Sequence, residues 1–264
     1  MQVSESYIKQ SYGLAWRFFT KNKMASFIVM GAFFVLAFFS MIPLIGFIVT
    51  LAMGVLMFSV QVYVAKSITH SENEEEYEKI IQNTKPSELI TQYLPVGAGA
   101  YLGFFLIEAL VVLLLFIMLI SLFGAETLTA ISEGTIPVEE QLQMYKSLGV
   151  FGFLFAVIMM FFAYIYPLVL GSVYRSESFG EAFVNIFLLF SPKIWKASFN
   201  GRYFFLITML HLTIIGAMVL MMISIMSFVL IPVAVFMVYI MTLYFATTAV
   251  LGDKVSFEGG VGGE

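Results

Sequence analysis

The sequence predicts an all-α polytopic membrane protein: about six transmembrane helices, two interfacial amphipathic helices, and both ends in the cytoplasm. Three observations carry this. Of the 264 residues, 61% are hydrophobic and 11% charged, whereas soluble domains average about 45–50% and about 25%. The charges gather into short blocks separated by long uncharged tracts. Placed on a six-span topology, all Lys and Arg except Lys146 fall on one side, as the positive-inside bias requires.

The elements follow in order. Over residues 5–22, Ile8, Tyr12, Ala15, Phe18 and Phe19 share one helical face, with Lys21 and Lys23 behind them, which suits an interfacial amphipathic helix. From Met24 to Ala65 there is no charge. As one helix at about 1.5 Å per residue this tract would reach roughly 60 Å, twice the ~30 Å hydrocarbon core. Pro43 and Gly46 supply the break, giving spans over 25–42 and 45–66.

The loop 67–93 carries Glu72, Glu74, Glu75, Glu76, Glu78 and Glu88 beside Lys79 and Lys85. Its middle reads as a short solvated helix, and as a possible docking surface for a cytoplasmic protein partner. A third span covers 95–123. The outer loop Gly124 to Lys146 holds Glu126, Glu133, Glu139 and Glu140. A fourth span over 147–174 contains Pro167, which frees the carbonyl of Ala163 and predicts a kink. Over 178–190, Phe179, Ala182, Phe183, Ile186, Phe187 and Phe190 recur at helical spacing, a second interfacial helix. Tyr203 to Gly252 again lacks Asp, Glu, Lys and Arg, which gives spans over 203–223 and 228–251. The turn between them falls at Ser224 to Ser227 or at Pro232. Residues 1–258 then form a single transmembrane domain, and the glycine-rich tail 259–264 is expected to be disordered.

Composition also excludes function classes. The net charge of −4 and the lack of a basic, aromatic-interleaved patch argue against nucleic acid. No cysteine is present, which closes disulfide, thiolate-metal and cysteine-nucleophile chemistry. The apolar tract from Met24 exceeds the short core of a cleavable signal and reads as a retained anchor, most simply in a bacterial inner membrane. No phosphate loop, nucleophile elbow or zinc-protease motif appears. No cofactor is expected, and the expectation is a non-enzyme.

Ser11-Tyr12-Gly13-Leu14-Ala15-Trp16 aligns with Ser178-Phe179-Gly180-Glu181-Ala182-Phe183, and each precedes a hairpin containing Ile-Pro, Ile42-Pro43 or Ile231-Pro232. A degenerate parallel repeat would account for this and would predict a pseudo-twofold axis along the membrane normal. Chance recurrence of such short patterns is the alternative. With these motifs and the Ile-Pro-Leu-Ile-Gly turn, the chain resembles a loose group of six-helix prokaryotic membrane families. These include YciC-like proteins and the glycerophosphoryl diester phosphodiesterase membrane domain. The resemblance implies six helices with interfacial elements and brings no activity. The soluble phosphodiesterase domain is absent from this chain.

Glu108 lies mid-helix in Ile107-Glu108-Ala109, where an ionised carboxylate costs roughly 2.5–3.5 kcal/mol on insertion scales. It is a proton- or cation-coupling candidate, or a neutral carboxyl bonded between helices. His211 is the candidate second relay member, or a histidine bonded to a backbone carbonyl. Two distant histidines give no metal-ligand spacing. Gly99 and Gly103 form a small-residue packing step. Pro43, Pro167 and Pro232 are the candidate hinges or turns. The function expected is a scaffold, assembly factor or accessory subunit in contact with membrane lipid. The alternative is a small transporter using Glu108 with or without His211.

Overall fold

A computed structural model describes residues 7–43, 45–124, 133, 138–225 and 231–258. The described residues are helical, with no strand among them. In chain order the helices are α1 (Tyr7–Lys21), α2 (Lys23–Phe39), α3 (Gly46–Thr69), α4 (Glu74–Asn83), α5 (Leu94–Phe123), α6 (Val138–Val173), α7 (Phe179–Asn185), α8 (Pro192–Ser198), α9 (Gly201–Ile225) and α10 (Ile231–Glu258). A π turn, Leu89–Tyr93, leads into α5, and a 3-10 turn, Ile186–Phe190, extends α7.

Five stretches are long and apolar enough to cross a membrane: Gly46–Thr69, Thr91–Phe123, Gly149–Val173, Gly201–Ile223 and Ile231–Phe257. The expected first span is α2, which has 17 residues, about 25 Å of helix and the short end of the spanning range. It counts as a sixth crossing when α1 and α2, bent by 93° to one another, are taken as one span. Five to six long apolar stretches are the architecture of a multi-pass membrane protein.

The bend has a local cause. Asn22 leaves the helical conformation, and its side-chain oxygen accepts from Ala25 N at 3.3 Å, capping α2. A polar side chain that satisfies the new helix's free N–H makes a sharp restart inexpensive. At the far end of α2, Pro43 lies in the expected turn. Gly46 donates to Ile42 O at 2.7 Å, and a Cβ there would meet Ser40 O at 2.6 Å. Only glycine closes that turn without strain.

Within the single membrane domain expected over 1–258, the chain groups into two compact units: Met1–Gly103 with Ile165–Glu264, and Phe104–Tyr164. In the larger unit burial follows an alternating rule. It lies at the starts of α2 (Val29), α5 (Val96, Ala100) and α9 (Leu206, Ile207), and at the ends of α3 (Val64, Ile68), α6 (Leu168, Val173) and α10 (Ala246, Ala249). Successive helices that bury opposite termini meet at one end. Lys23, Lys66, Arg175, Arg202 and Lys254 sit at those same termini, so this is the basic end of the bundle. The smaller unit exposes apolar side chains on both its helices, among them Leu106, Leu110, Leu113, Phe153 and Met160.

Several expected boundaries shift. α6 begins at Val138, ahead of its apolar stretch Gly149–Val173, which lies within the span expected over 147–174, because the Glu-Glu-Gln stretch before the apolar core is itself helix-forming. α10 continues to Glu258 rather than 251, since Asp253 is buried against protein and does not mark an exit into water. The second interfacial helix is not continuous; it changes to a 3-10 turn at Ile186. α9 runs to Ile225 and α10 opens at Ile231, so Pro232 stands in the first turn of α10, where its missing N–H costs nothing. Residues 226–230, between the two helices, fall outside the described residues, and both candidate turns, Ser224 to Ser227 and Pro232, border or overlap them. Pro167 lies inside α6, where the sequence placed it, and is buried. The tail 259–264 and most of the loop after Gly124 fall outside the described residues.

Two expectations about amphipathic segments need correction. α1 buries Ser11, Leu14, Ala15 and Phe18, while Tyr12 and Trp16 remain exposed. Its apolar face is therefore docked on protein, chiefly α10, and is rotated from the stripe read in the sequence. The loop helix α4 is not merely solvated, because Tyr77 and Ile81 are fully buried. Tyr77 Oη donates to Leu14 O at 3.2 Å, holding α4 under α1.

Candidate functional site

Glu108 lies on α5 in the Phe104–Tyr164 unit, and its side chain is exposed. No hydrogen bond or ion pair reaches it among the described residues. The apolar window of this helix is only 6% buried within the chain. His211 belongs to the other unit and is half-buried in α9, with Nδ1 2.8 Å from Ile207 O in its own preceding turn. A backbone carbonyl thus takes that ring nitrogen, which is the plainer of the two readings its sequence allowed. No group of His, Cys, Asp and Glu that could hold a metal ion occurs among the described residues.

Gly99 and Gly103 do mediate a close approach, although the other side is not a crossing helix. A Cβ at Gly99 would collide with the carbonyl of Phe179, and one at Gly103 would lie 2.8 Å from Phe183 O. The segment Phe179–Phe190 therefore rests on the start of α5 at a backbone-to-backbone distance that side chains would prevent. On the other face of α5, a Cβ at Gly97 would collide with Ser59 of α3. A twofold repeat that sets α1 on α10 would set this segment on α3. It lies on α5 instead, outside both expected copies.

The basic end holds a layer of buried polar groups that the sequence did not single out. Lys66 Nζ, on the largely buried end of α3, pairs with Glu177 Oε2 at 2.9 Å. Arg175, just after α6, pairs with Asp253 of α10, whose side chain is 2% exposed. Close helix contact permits that pair, since a Cβ at Gly171 would lie 2.6 Å from Asp253 Cβ. Tyr174 Oη donates to Gln61 Oε1 at 2.8 Å. Asn22 Nδ2 donates to Tyr63 Oη at 2.9 Å and to Ile81 O at 2.6 Å, joining the α1–α2 bend to α3 and α4. Ser11 Oγ lies 2.7 Å from Thr248 Oγ1 and 3.0 Å from Thr247 Oγ1, joining α1 to α10.

A second, exposed layer covers this one. Arg17 pairs with Glu74, and Lys21 Nζ lies 2.7 Å from Glu78 Oε2. The bond from Lys21 holds the Glu78 carboxyl below the usual carboxylate range, while burial pushes the Tyr77 hydroxyl well above the ordinary phenol value. Glu74, Tyr77 and Glu78 of the acidic loop are thus engaged internally. Glu75 and Lys79 remain on its exposed edge.

Chemically this layer fastens helices together. Lys66 and Asp253 are each paired with an opposite charge, and the hydroxyls of Ser11, Tyr63 and Tyr174 are bonded to side chains of other helices. The signal for it was a lone charge at the margin of an apolar run, Lys66 or Asp253, which in sequence resembles an exit from the membrane. Two of the cavities that open in this unit measure about 930 Å³, beside Lys9, Trp16, Arg17 and Glu72, and about 260 Å³, behind α2. Neither is lined by Glu108 or His211. Comparison with family models, with curated proteins and with solved structures found no match to this chain.

Proposed function

We propose that the chain is a non-enzymatic scaffold, assembly factor or accessory subunit of a bacterial inner membrane, with both ends cytoplasmic. The observation that carries this reading is the exposed carboxyl of Glu108, halfway along an apolar helix whose most apolar window is 6% buried. A carboxyl facing hydrocarbon is costly, whether ionised or neutral and unbonded. A hydrogen-bond donor from another membrane protein's helix would remove that cost, and the exposed apolar side chains beside it on α5, Phe105, Leu106 and Val112, offer such a helix a surface. In the larger unit the pairs Lys66–Glu177 and Arg175–Asp253 tie helices to one another, as suits a rigid mount. The basic end, with its Lys and Arg excess, is the cytoplasmic end in this reading. There the exposed edge of α4, with Glu75 and Lys79, is a further place for a protein partner.

The test uses the absence of cysteine. Single cysteines at Leu106, Glu108 and Val112 in the native membrane, treated with a bifunctional crosslinker, should give one discrete protein adduct. Glu108→Leu should weaken recovery of that same protein. Adducts to lipid alone at all three positions would refute the reading. The second reading, a proton- or cation-coupled transporter, is favoured by the same carboxyl. It requires Glu108→Gln to abolish coupled flux in proteoliposomes while leaving crosslinked adducts unchanged.

A further inference from the structure

The cavity of about 260 Å³ behind α2 lies between that helix, α3 and α10. Phe18, Val29, Leu56 and Val60 form its walls together with the rings of Tyr63 and Tyr239. It exists because α2 leaves α1 at 93° and because Ala25 and Ala32 face it, side chains too small to fill the gap. From Ala25 to Ala32 is two turns, roughly 10 Å along the helix, which covers much of one ~15 Å hydrocarbon leaflet. Ile28 stands at its lip, half exposed.

Both tyrosine hydroxyls in the wall are already engaged. Tyr63 Oη accepts from Asn22 at 2.9 Å, and Tyr239 Oη donates to Ser26 Oγ at 2.9 Å. The rings therefore present only apolar surface to the cavity. Polar groups enter the lining at one place, the exposed Lys85 and Ser87 that precede α5. The Lys85 ammonium makes no ion pair among the described residues; Glu88 accepts instead from the Lys85 backbone N, at 3.3 Å. An apolar slot of leaflet depth with one cation and one hydroxyl at its mouth matches a molecule that is apolar along its length and anionic at its end. Inorganic phosphate matches the mouth and leaves the slot empty; a neutral acyl chain matches the slot and leaves the cation unanswered.

We propose that this crevice binds one acidic phospholipid, with an acyl chain along α2 and its phosphate at Lys85 and Ser87. A lipid there fills the angle between α1 and α2 and fixes the tilt of α2 against the bundle. The site is independent of the partner reading above, for it uses neither Glu108 nor the Phe104–Tyr164 unit.

The experiment is native mass spectrometry of the full chain, purified in mild detergent and exchanged into equimolar phosphatidylglycerol and phosphatidylethanolamine. The wild type should retain one phosphatidylglycerol. Lys85→Gln, an exposed change that leaves the fold intact, should lower the ratio of acidic to zwitterionic lipid retained by about fivefold, the factor equivalent to ~1 kcal/mol per cation beside anionic lipid. Lys79→Gln, at an exposed basic position of α4 outside the crevice, should leave the ratio unchanged. Ala32→Phe should abolish retention of either lipid while the protein stays monodisperse on size exclusion. Equal loss of preference in Lys79→Gln and Lys85→Gln would show nonspecific attraction and overturn the site. So would a wild type that retains no lipid, or one that retains both kinds equally.

Discussion

Replacing Gly99 with alanine adds one methyl group to α5 at a point where the carbonyl of Phe179 already occupies the space. Intrinsic helix propensity favours the change by up to about 1 kcal/mol, since glycine is the poorer helix former. Steric conflict opposes it, because the Phe179 carbonyl is fixed main chain and cannot swing aside as a flexible side-chain tip would. Overpacking of this kind typically costs about 1–3 kcal/mol. Gly216 in α9 isolates the two effects, for a Cβ there meets nothing within 4 Å. Gly216→Ala therefore gains propensity alone, and the two variants differ by the packing cost, about 1–3 kcal/mol. At roughly 2–4 °C per kcal/mol for a chain of this size, thermal unfolding in detergent should place Gly99→Ala several degrees below Gly216→Ala. A Gly99→Ala protein as stable as Gly216→Ala would refute the seating of Phe179–Phe190 on α5.

Three further outcomes follow from the basic end. Arg175→Ala leaves the Asp253 carboxylate buried and unpaired, and should cost about 3–5 kcal/mol. Asp253→Asn leaves the half-exposed Arg175 free to reach water, so unfolding in denaturant should show the smaller loss for it. Tyr77→Phe removes the bond to Leu14 O and should cost about 1 kcal/mol, visible as faster amide exchange in α4 with little change in α10. The Glu78 carboxyl is held low by Lys21, so its contribution is complete above the ordinary carboxylate range. It is lost as pH falls through the lowered value. Limited proteolysis of the α4 segment should accelerate on acidification below that range in the wild type, and Glu78→Gln should show the faster cleavage already at neutral pH.

Most of the helix plan was legible because it depends on length and on proline. No single helix can cover Met24 to Ala65 in a 30 Å layer, and Pro43 lies where the chain turns. The polar attachments were harder to read. Asp253 follows an apolar run and resembles an exit into water, yet α10 carries it into the protein to meet Arg175. Tyr77 and Ile81, four residues apart in an acidic stretch, were the available signal that α4 docks. The density of glutamates around them outweighs that signal in any composition-based reading. The Gly99/Gly103 step announced close approach without naming its partner, because such a step specifies the shape of one surface only. The candidate pair divided in a similar way. Sequence located Glu108 and His211 in their helices, but whether each is answered locally depends on neighbours that pattern cannot supply. His211 is answered by Ile207 O, and Glu108 has no partner among the described residues.

The membrane arrangement itself is tested most directly by which side of the bilayer each loop can be labelled from. With no native cysteine, Lys79→Cys, Lys196→Cys and Glu133→Cys can each be treated with an impermeant maleimide in intact cells and in inverted vesicles. Labelling of Glu133→Cys only in cells, and of Lys79→Cys and Lys196→Cys only in inverted vesicles, is the predicted result. Reaction of Glu133→Cys and Lys79→Cys from the same side would contradict the proposed topology and the partner orientation built on it.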